Sequence, residues 1–157
     1  MSHDEILVRE AAAGDIPEIL RQRRGMFVDM GFDNAEDLAA MLSTSATYFS
    51  DALRQGRFRG WLAVTPAAEV AGGGGVVITE WPTHPSDPQP RRATILNLYT
   101  YPQHRRKGIA RRLMLTMIEW CRGEGFASVS LHASEDGRQL YEWLGFKPTN
   151  EMRLRIR

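Results

Sequence analysis

Apolar residues recur at Ala110, Leu113, Met114, Met117, Ile118 and Cys121, the three-and-four spacing that turns one face of a helix toward a core. Gly123 and Gly125 stop that pattern. Before it, Thr94 to Thr100 is rich in β-branched and aromatic residues without Gly or Pro, and after it Ser128 to His132 alternates, so both predict strands. Strand, helix, strand requires a crossover and a parallel pair, whose ends can splay. Toward the N-terminus, Ile6 to Arg9 predicts a short strand. Asp15 is placed to cap a helix with Glu18 reaching back, and Ile16, Ile19, Leu20 and Phe27 form its apolar face up to Gly31. Asn34 to Gln55 predicts a second, surface helix with a break around Ser43–Ser45. Phe58 to Thr65 and Val70 to Thr79 then predict a hairpin joined through residues 66–69.

Two stretches depart from regular patterning. Gly72 to Gly75 interrupts the second hairpin strand, which points to close backbone approach or a bulge. Glu80 to Arg92 carries Pro82, Pro85, Pro88 and Pro90 and is the longest connection, a binding loop or a plain linker. Near the C-terminus, Ser134 is placed to cap a short helix through Leu144 with Gly145-Phe146 as its stop. Met152, Leu154 and Ile156 alternate with three arginines and predict a last strand with one wet face.

At 157 residues one domain, 1–157, is expected. Twenty basic against nineteen acidic side chains leave +1, so no global field draws the chain to nucleic acid or to a membrane surface. Cys121 is the single cysteine, which excludes an internal disulfide and a cysteine-cluster metal site. No basic-then-apolar leader and no bilayer-length apolar run is present, and a soluble cytoplasmic protein is expected. The bases do concentrate locally. Arg105-Arg106-Lys107-Gly108 precedes the central helix, where unpaired N–H groups and the helix dipole favour an anion, and three adjacent cations suit a pyrophosphate. The nucleoside-triphosphate loop and the three-glycine dinucleotide fingerprint are both absent.

Arg105-x-x-Gly108-x-Ala110 resembles the Gln/Arg-x-x-Gly-x-Gly/Ala motif of the GNAT superfamily of acetyl-CoA-dependent N-acetyltransferases. The later stretch Leu131-His132-Ala133-Ser134 with Leu140-Tyr141-Glu142-Trp143-Leu144-Gly145-Phe146 is similar to that family's short Tyr-bearing helix and Gly-Phe turn, and the likeness spans the chain from first strand to last. The resemblance implies an α/β (α+β) fold with a central, mixed, mostly antiparallel sheet, a splayed parallel strand pair and about four flanking helices. It also implies a bacterial single-domain enzyme that moves the acetyl group of acetyl-CoA to a primary amine of a small molecule or protein by direct attack in a ternary complex, without a metal.

Carried over by position, the resemblance implies that the main chain of Leu98, Tyr99 and Thr100 pairs with the pantetheine arm. Arg105, Arg106, Lys107, Gly108, Ile109 and Ala110 would hold the pyrophosphate, as the residues themselves suggest, and Ser134 and Gly137 would line the far side of the cofactor. Thioester aminolysis needs a free amine, a stabilised oxyanion and a proton for the departing thiolate. The resemblance puts the Tyr141 hydroxyl near the sulfur, which makes it the candidate thiol-side acid, with the Leu98 N–H as the oxyanion donor. Many family members carry a Glu before the loop, but Arg92 to Asn97 has no carboxylate. Glu80 is the substitute candidate base, acting through water, with His132 and His84 weaker. Arg24, Phe27, Met30 and the proline loop would border the acceptor pocket. Asn97 would hold either backbone or substrate, and Arg24 hints at an acidic acceptor.

Two other functions are weighed against this one. The missing carboxylate motivates a non-catalytic acyl-CoA-responsive binding module. A nucleic-acid binder using Arg105-Arg106-Lys107 and Arg111-Arg112 is disfavoured by the near-neutral charge and the lack of interleaved aromatics. The acceptor's identity and the oligomeric state are not written in the sequence, so a homodimer stays open.

Overall fold

The computed structural model describes residues 5–157. Its elements run β1 (Leu7–Glu10), α1 (Ile16–Asp29), α2 (Ala35–Arg54), β2 (Phe58–Val64), β3 (Val70–Glu80), β4 (Arg91–Thr100), α3 (Ile109–Gly123), β5 (Val129–Leu131) and α4 (Glu135–Trp143), with 3-10 turns at Ala13–Asp15 and Pro102–His104. The strands form one sheet in the order β1-β2-β3-β4-β5. All neighbours are antiparallel except β4 and β5, which are parallel as the crossover through α3 requires.

Helices cover both faces of this sheet. On one, Ile109, Leu113, Met114, Met117 and Cys121 of α3 pack on Trp61, Val76, Ile78, Ala93 and Ile95. Leu113, Met114 and Met117 are 0% exposed, and burying each such side chain contributes about 1.5–3 kcal/mol. On the other face Ile16 and Ile19 of α1 and Phe49 and Ala52 of α2 meet Phe58 and Leu62. The glycine run of β3 lets these layers close. A Cβ at Gly74 would lie 2.9 Å from Met117 Cε, one at Gly75 2.3 Å from the Phe58 ring, and one at Gly72 2.4 Å from the Tyr99 carbonyl oxygen.

The run also faces a bulge. Gly73 pairs with Tyr99 and Gly75 with Leu96, so Gly74 alone opposes both Asn97 and Leu98. Asn97 has φ 62°, the left-handed region that asparagine enters more readily than most residues. The extra residue changes the phase of β4. Ile95 faces α3, Leu96 and Asn97 both face α1, Leu98 returns to the α3 side, and Tyr99 lies under Gly25 of α1.

Three local expectations are corrected, and the proline loop, open between a binding loop and a plain linker, is tied by its own contacts. Asp15 does not cap α1. Its carboxylate accepts from the Ala12 N–H at 2.8 Å and from Arg9, while Glu18 accepts from Gln22 and Tyr101. The helix α2 is unbroken at Ser43–Ser45, because the Thr44 hydroxyl donates back to the carbonyls of Ala40 and Met41 instead of competing for the backbone N–H groups. The proline loop is built, not slack: His84 and Asp87 form a bridge, Asp87 pairs with Arg92 at 2.7 Å, and Trp81 donates to the Pro90 carbonyl. The expected last strand does not form. Met152, Leu154 and Ile156 are 94%, 83% and 88% exposed, and alternation alone supplies no ladder partner for them.

Candidate functional site

The parallel pairing ends early. Among the described residues, β5 meets β4 only at Ala93, Thr94 and Ile95, and β4 then runs on to Thr100 with no strand on that edge. The stretch Leu98 to Thr100, with the Thr100 carbonyl taken by Arg105 Nε, therefore borders the splay, which is where an extended ligand can add as a strand. The opening leads to α3. Gly108 takes φ 76° and Arg106 φ 62°, turning the loop so that the helix begins at Ile109. The Gly108 N-cap has no side chain to accept from the first-turn N–H groups, and within the helix the first donor to a carbonyl is Arg112, to Gly108 at 3.1 Å. The preceding N–H groups have no partner within the helix, and the neighbouring Arg106 and Lys107 are exposed, an arrangement that favours an anion.

Arg105 has another task. Its Nε donates to the Thr100 carbonyl at 2.8 Å, its Nη2 pairs with Asp29, and its guanidinium lies 5.5 Å from the Tyr99 ring centroid. It ties the loop to both β4 and the end of α1.

The short helix α4 closes the far side. Ser134 caps it, accepting from the Gly137 N–H at 3.2 Å, and Gly137 has no Cβ because one would lie 2.6 Å from the Tyr141 ring. Tyr141 is half-buried beside Phe146, with ring centroids 6.1 Å apart, and packs on the same core cluster as Leu98. Burial pushes its hydroxyl above the usual tyrosine range, so it stays protonated and able to donate.

On the α1–α2 side of the bulge, the Asn97 amide donates from Nδ2 to the Ile19 carbonyl and accepts at Oδ1 from Arg23 Nη1 at 3.3 Å. Arg23 Nε donates to Ser45 Oγ at 3.2 Å, and its guanidinium lies 5.0 Å from the Phe27 and 5.6 Å from the Phe49 ring centroid. Burial lowers its pKa from the usual arginine value, partly offset by Tyr48. Among the described residues no carboxylate bonds to Arg23, Asn97 or Tyr141.

Several expected residues are linked by these contacts, the β4 end with the basic loop through Arg105 and Asn97 with Phe27 through Arg23, while Tyr141 shares a hydrophobic cluster with Leu98. Others stay apart. Arg24 and Met30 are exposed on α1. Glu80 pairs with Arg91, which lies seven positions along β4 from Leu98, about 20 Å. Glu80 lies in a separate 520 Å³ hollow with Trp81, Pro82, Pro90 and Arg91. The proline loop shares that end of β4, where Gln89 Nε2 donates to the Gly125 carbonyl. A second hollow, of 630 Å³ between α2 and the residues after β1, is lined by Ala11, Ile16, Leu53 and Arg54, and none of the linked residues lines it. Arg23 is the functional candidate that periodicity missed. It adjoins Gln22, which is buried in the α1 stripe, so the helix turn carries Arg23 inward and Arg24 outward.

Comparison with known proteins meets this geometry. The family model described as Acetyltransferase (GNAT) family matches residues 17–146. A GCN5-related N-acetyltransferase from Ralstonia eutropha JMP134 superposes with a TM-score of 0.88 at 36% identity, covering 96% of this chain and 98% of that one. A predicted acetyltransferase from Clostridium acetobutylicum, solved with acetyl-CoA, superposes with a TM-score of 0.86 at 24% identity over 96% of each chain. N-acetyltransferase 8 of Homo sapiens is 31% identical over 64 residues, 39% of this chain and 28% of that protein. With a family match over residues 17–146, most of its length, the chain belongs to the GNAT family of acetyltransferases.

Proposed function

We propose that this protein is an acetyl-CoA-dependent N-acetyltransferase whose acceptor is a primary amine. One observation carries the reading: the edge of β4 beyond its pairing with β5 leads directly to an uncapped helix N-terminus beside Arg106 and Lys107. Backbone of Leu98, Tyr99 and Thr100 holds the extended arm of the donor, and the N–H groups of Gly108, Ile109 and Ala110 with the neighbouring cations hold its pyrophosphate. Arg105 keeps the loop in place through the Thr100 carbonyl. Ser134 and Gly137 shape the helix that presents Tyr141.

In the transfer step a neutral acceptor amine attacks the thioester carbonyl. A C–N bond forms and the C–S bond breaks, the nitrogen releases one proton to solvent, and the departing sulfur takes one from Tyr141, which regains it from water. The Leu98 N–H, without a register partner in the bulge, faces the developing oxyanion. With no carboxylate on this group, the amine arrives already deprotonated, so the rate follows the acceptor's own pKa.

Calorimetry with acetyl-CoA and thiol release with an amine panel test this reading. The pair Arg106→Glu and Lys107→Glu should weaken acetyl-CoA binding by more than tenfold, whereas Arg157→Glu should leave it unchanged. Equal affinity in wild type and the loop variant defeats the pyrophosphate assignment. Binding without thiol release for any amine would favour a non-catalytic acyl-CoA-responsive module, the reading the missing carboxylate supports.

A further inference from the structure

Arg23 combines partial burial with the lack of a carboxylate partner. Arg9, Arg54, Arg92 and Arg105 each meet a carboxylate, while half-buried Arg23 meets only neutral groups, Ser45, Asn97 and two phenyl rings. A guanidinium carries five N–H donors. Two of these are used, by Ser45 Oγ and Asn97 Oδ1, and the remaining donors have no partner among the described residues. A desolvated charge without a counter-charge is costly, and an anion supplied from outside would offset that cost.

The surroundings say which anion. With Phe27 and Phe49 near the guanidinium, what remains for a ligand is its planar, hydrogen-bonding edge. A planar edge of N–H groups matches a carboxylate in two parallel hydrogen bonds. The edge is also pre-set. Asn97 is fixed by its bond to the Ile19 carbonyl, and Ser45 lies buried on α2, so little ordering is needed when the anion arrives. The position is tied to the chemistry as well, because Asn97 is the bulge residue and its neighbour is Leu98. One asparagine side chain separates the free guanidinium edge from the main chain at which transfer takes place.

We propose that Arg23 selects the acceptor: the site takes an amine that bears a carboxylate a few bonds from its nitrogen, as in a free amino acid, and Arg23 pairs with that carboxylate. The proposal rests on the acetyl-transfer reading and adds the acceptor class to it. The residue suggested by sequence, Arg24, lies one position away on the exposed face of α1 and takes no part.

The test compares free L-amino acids with their carboxamides, which keep the amine and lose the charge. Thiol release is followed in wild type, Arg23→Gln and Arg23→Lys, with melting curves and acetyl-CoA calorimetry to show that each variant folds and binds the donor. Hydrogen bonds to a charged group predict a preference of about 10 to 100-fold in kcat/KM for the acid over the amide, mostly in KM. Arg23→Gln should bring acid and amide to the same level, and Arg23→Lys should restore part of the preference. Equal use of acid and amide by wild type, or a preference that survives in Arg23→Gln, overturns the proposal while leaving acetyl transfer intact. If no amine releases thiol, the transfer reading fails on its own. Calorimetry of the amino acids with CoA-loaded protein then decides the anion site, since Arg23-dependent binding upholds it and binding that is absent or independent of Arg23 overturns it.

Discussion

Tyr141 is the residue on which the chemical reading depends most. Its ring is held by Gly137 beneath it and Phe146 beside it, so phenylalanine keeps the packing and removes only the hydroxyl. Loss of a general acid costs about 10² to 10⁴-fold. Tyr141→Phe should therefore lower kcat by about 10²-fold with acetyl-CoA affinity within a few-fold and an unchanged melting temperature. A wild-type rate under chemistry-limited conditions would make Tyr141 a packing residue. Tyr141 could be singled out in the sequence because Leu140 to Phe146 is a compact local pattern. Arg23 could not, because two adjacent arginines on a helix look alike until α2 and the β4 bulge show which one is covered. The β3–β4 register that sets Glu80 opposite Arg91, away from Leu98, could not be read from the sequence either.

At the scale of elements, β3 explains how a strand with four successive glycines holds the centre of the sheet. Its missing side chains are replaced by those of its neighbours, Met117 over Gly74 and Phe58 over Gly75. The positions should differ in tolerance. A methyl at Gly74 meets the end of a flexible methionine, while one at Gly72 meets the Tyr99 carbonyl oxygen at 2.4 Å, which moves only with the backbone. Overpacking typically costs about 1–3 kcal/mol, so Gly72→Ala should fall at the upper end and Gly74→Ala at the lower, read from urea midpoints. Equal losses would mean that β3 and β4 shift together. The glycine run was legible as a bulge or a close approach; the close approach occurs at β3, while the bulge lies opposite it in β4. The last strand was misread for the opposite reason: period-two alternation specifies faces, and the ladder it needs is a property of the sheet.

For the molecule as a whole, the α3 layer also sets behaviour in alkali. Cys121 is 3% exposed on α3, and burial, then Glu124, pushes its thiol from an ordinary 9.0 up to about 11. The folded value is the higher, so the unfolded chain loses its proton first. Stability from this group is complete below pH 9 and is lost as pH rises from 9 to 11. Urea unfolding from pH 8 to 10 should show that decline, and Cys121→Ala should flatten it; an unaltered slope would remove Cys121 as its source. Architecture was the most legible level of all, since nine of the elements follow from periodicity and punctuation, and a crossover fixes one parallel pair. What periodicity leaves out is the one residue by which β4 departs from a plain strand. Without Asn97 the alternation of Ile95, Leu96, Leu98 and Tyr99 would be regular, each on the layer it occupies now. A chain shorter by that single codon could keep its architecture, close the ladder opposite Gly74 and lose the interruption at which the transfer site is built, so that fold and catalysis here are separable by one deletion.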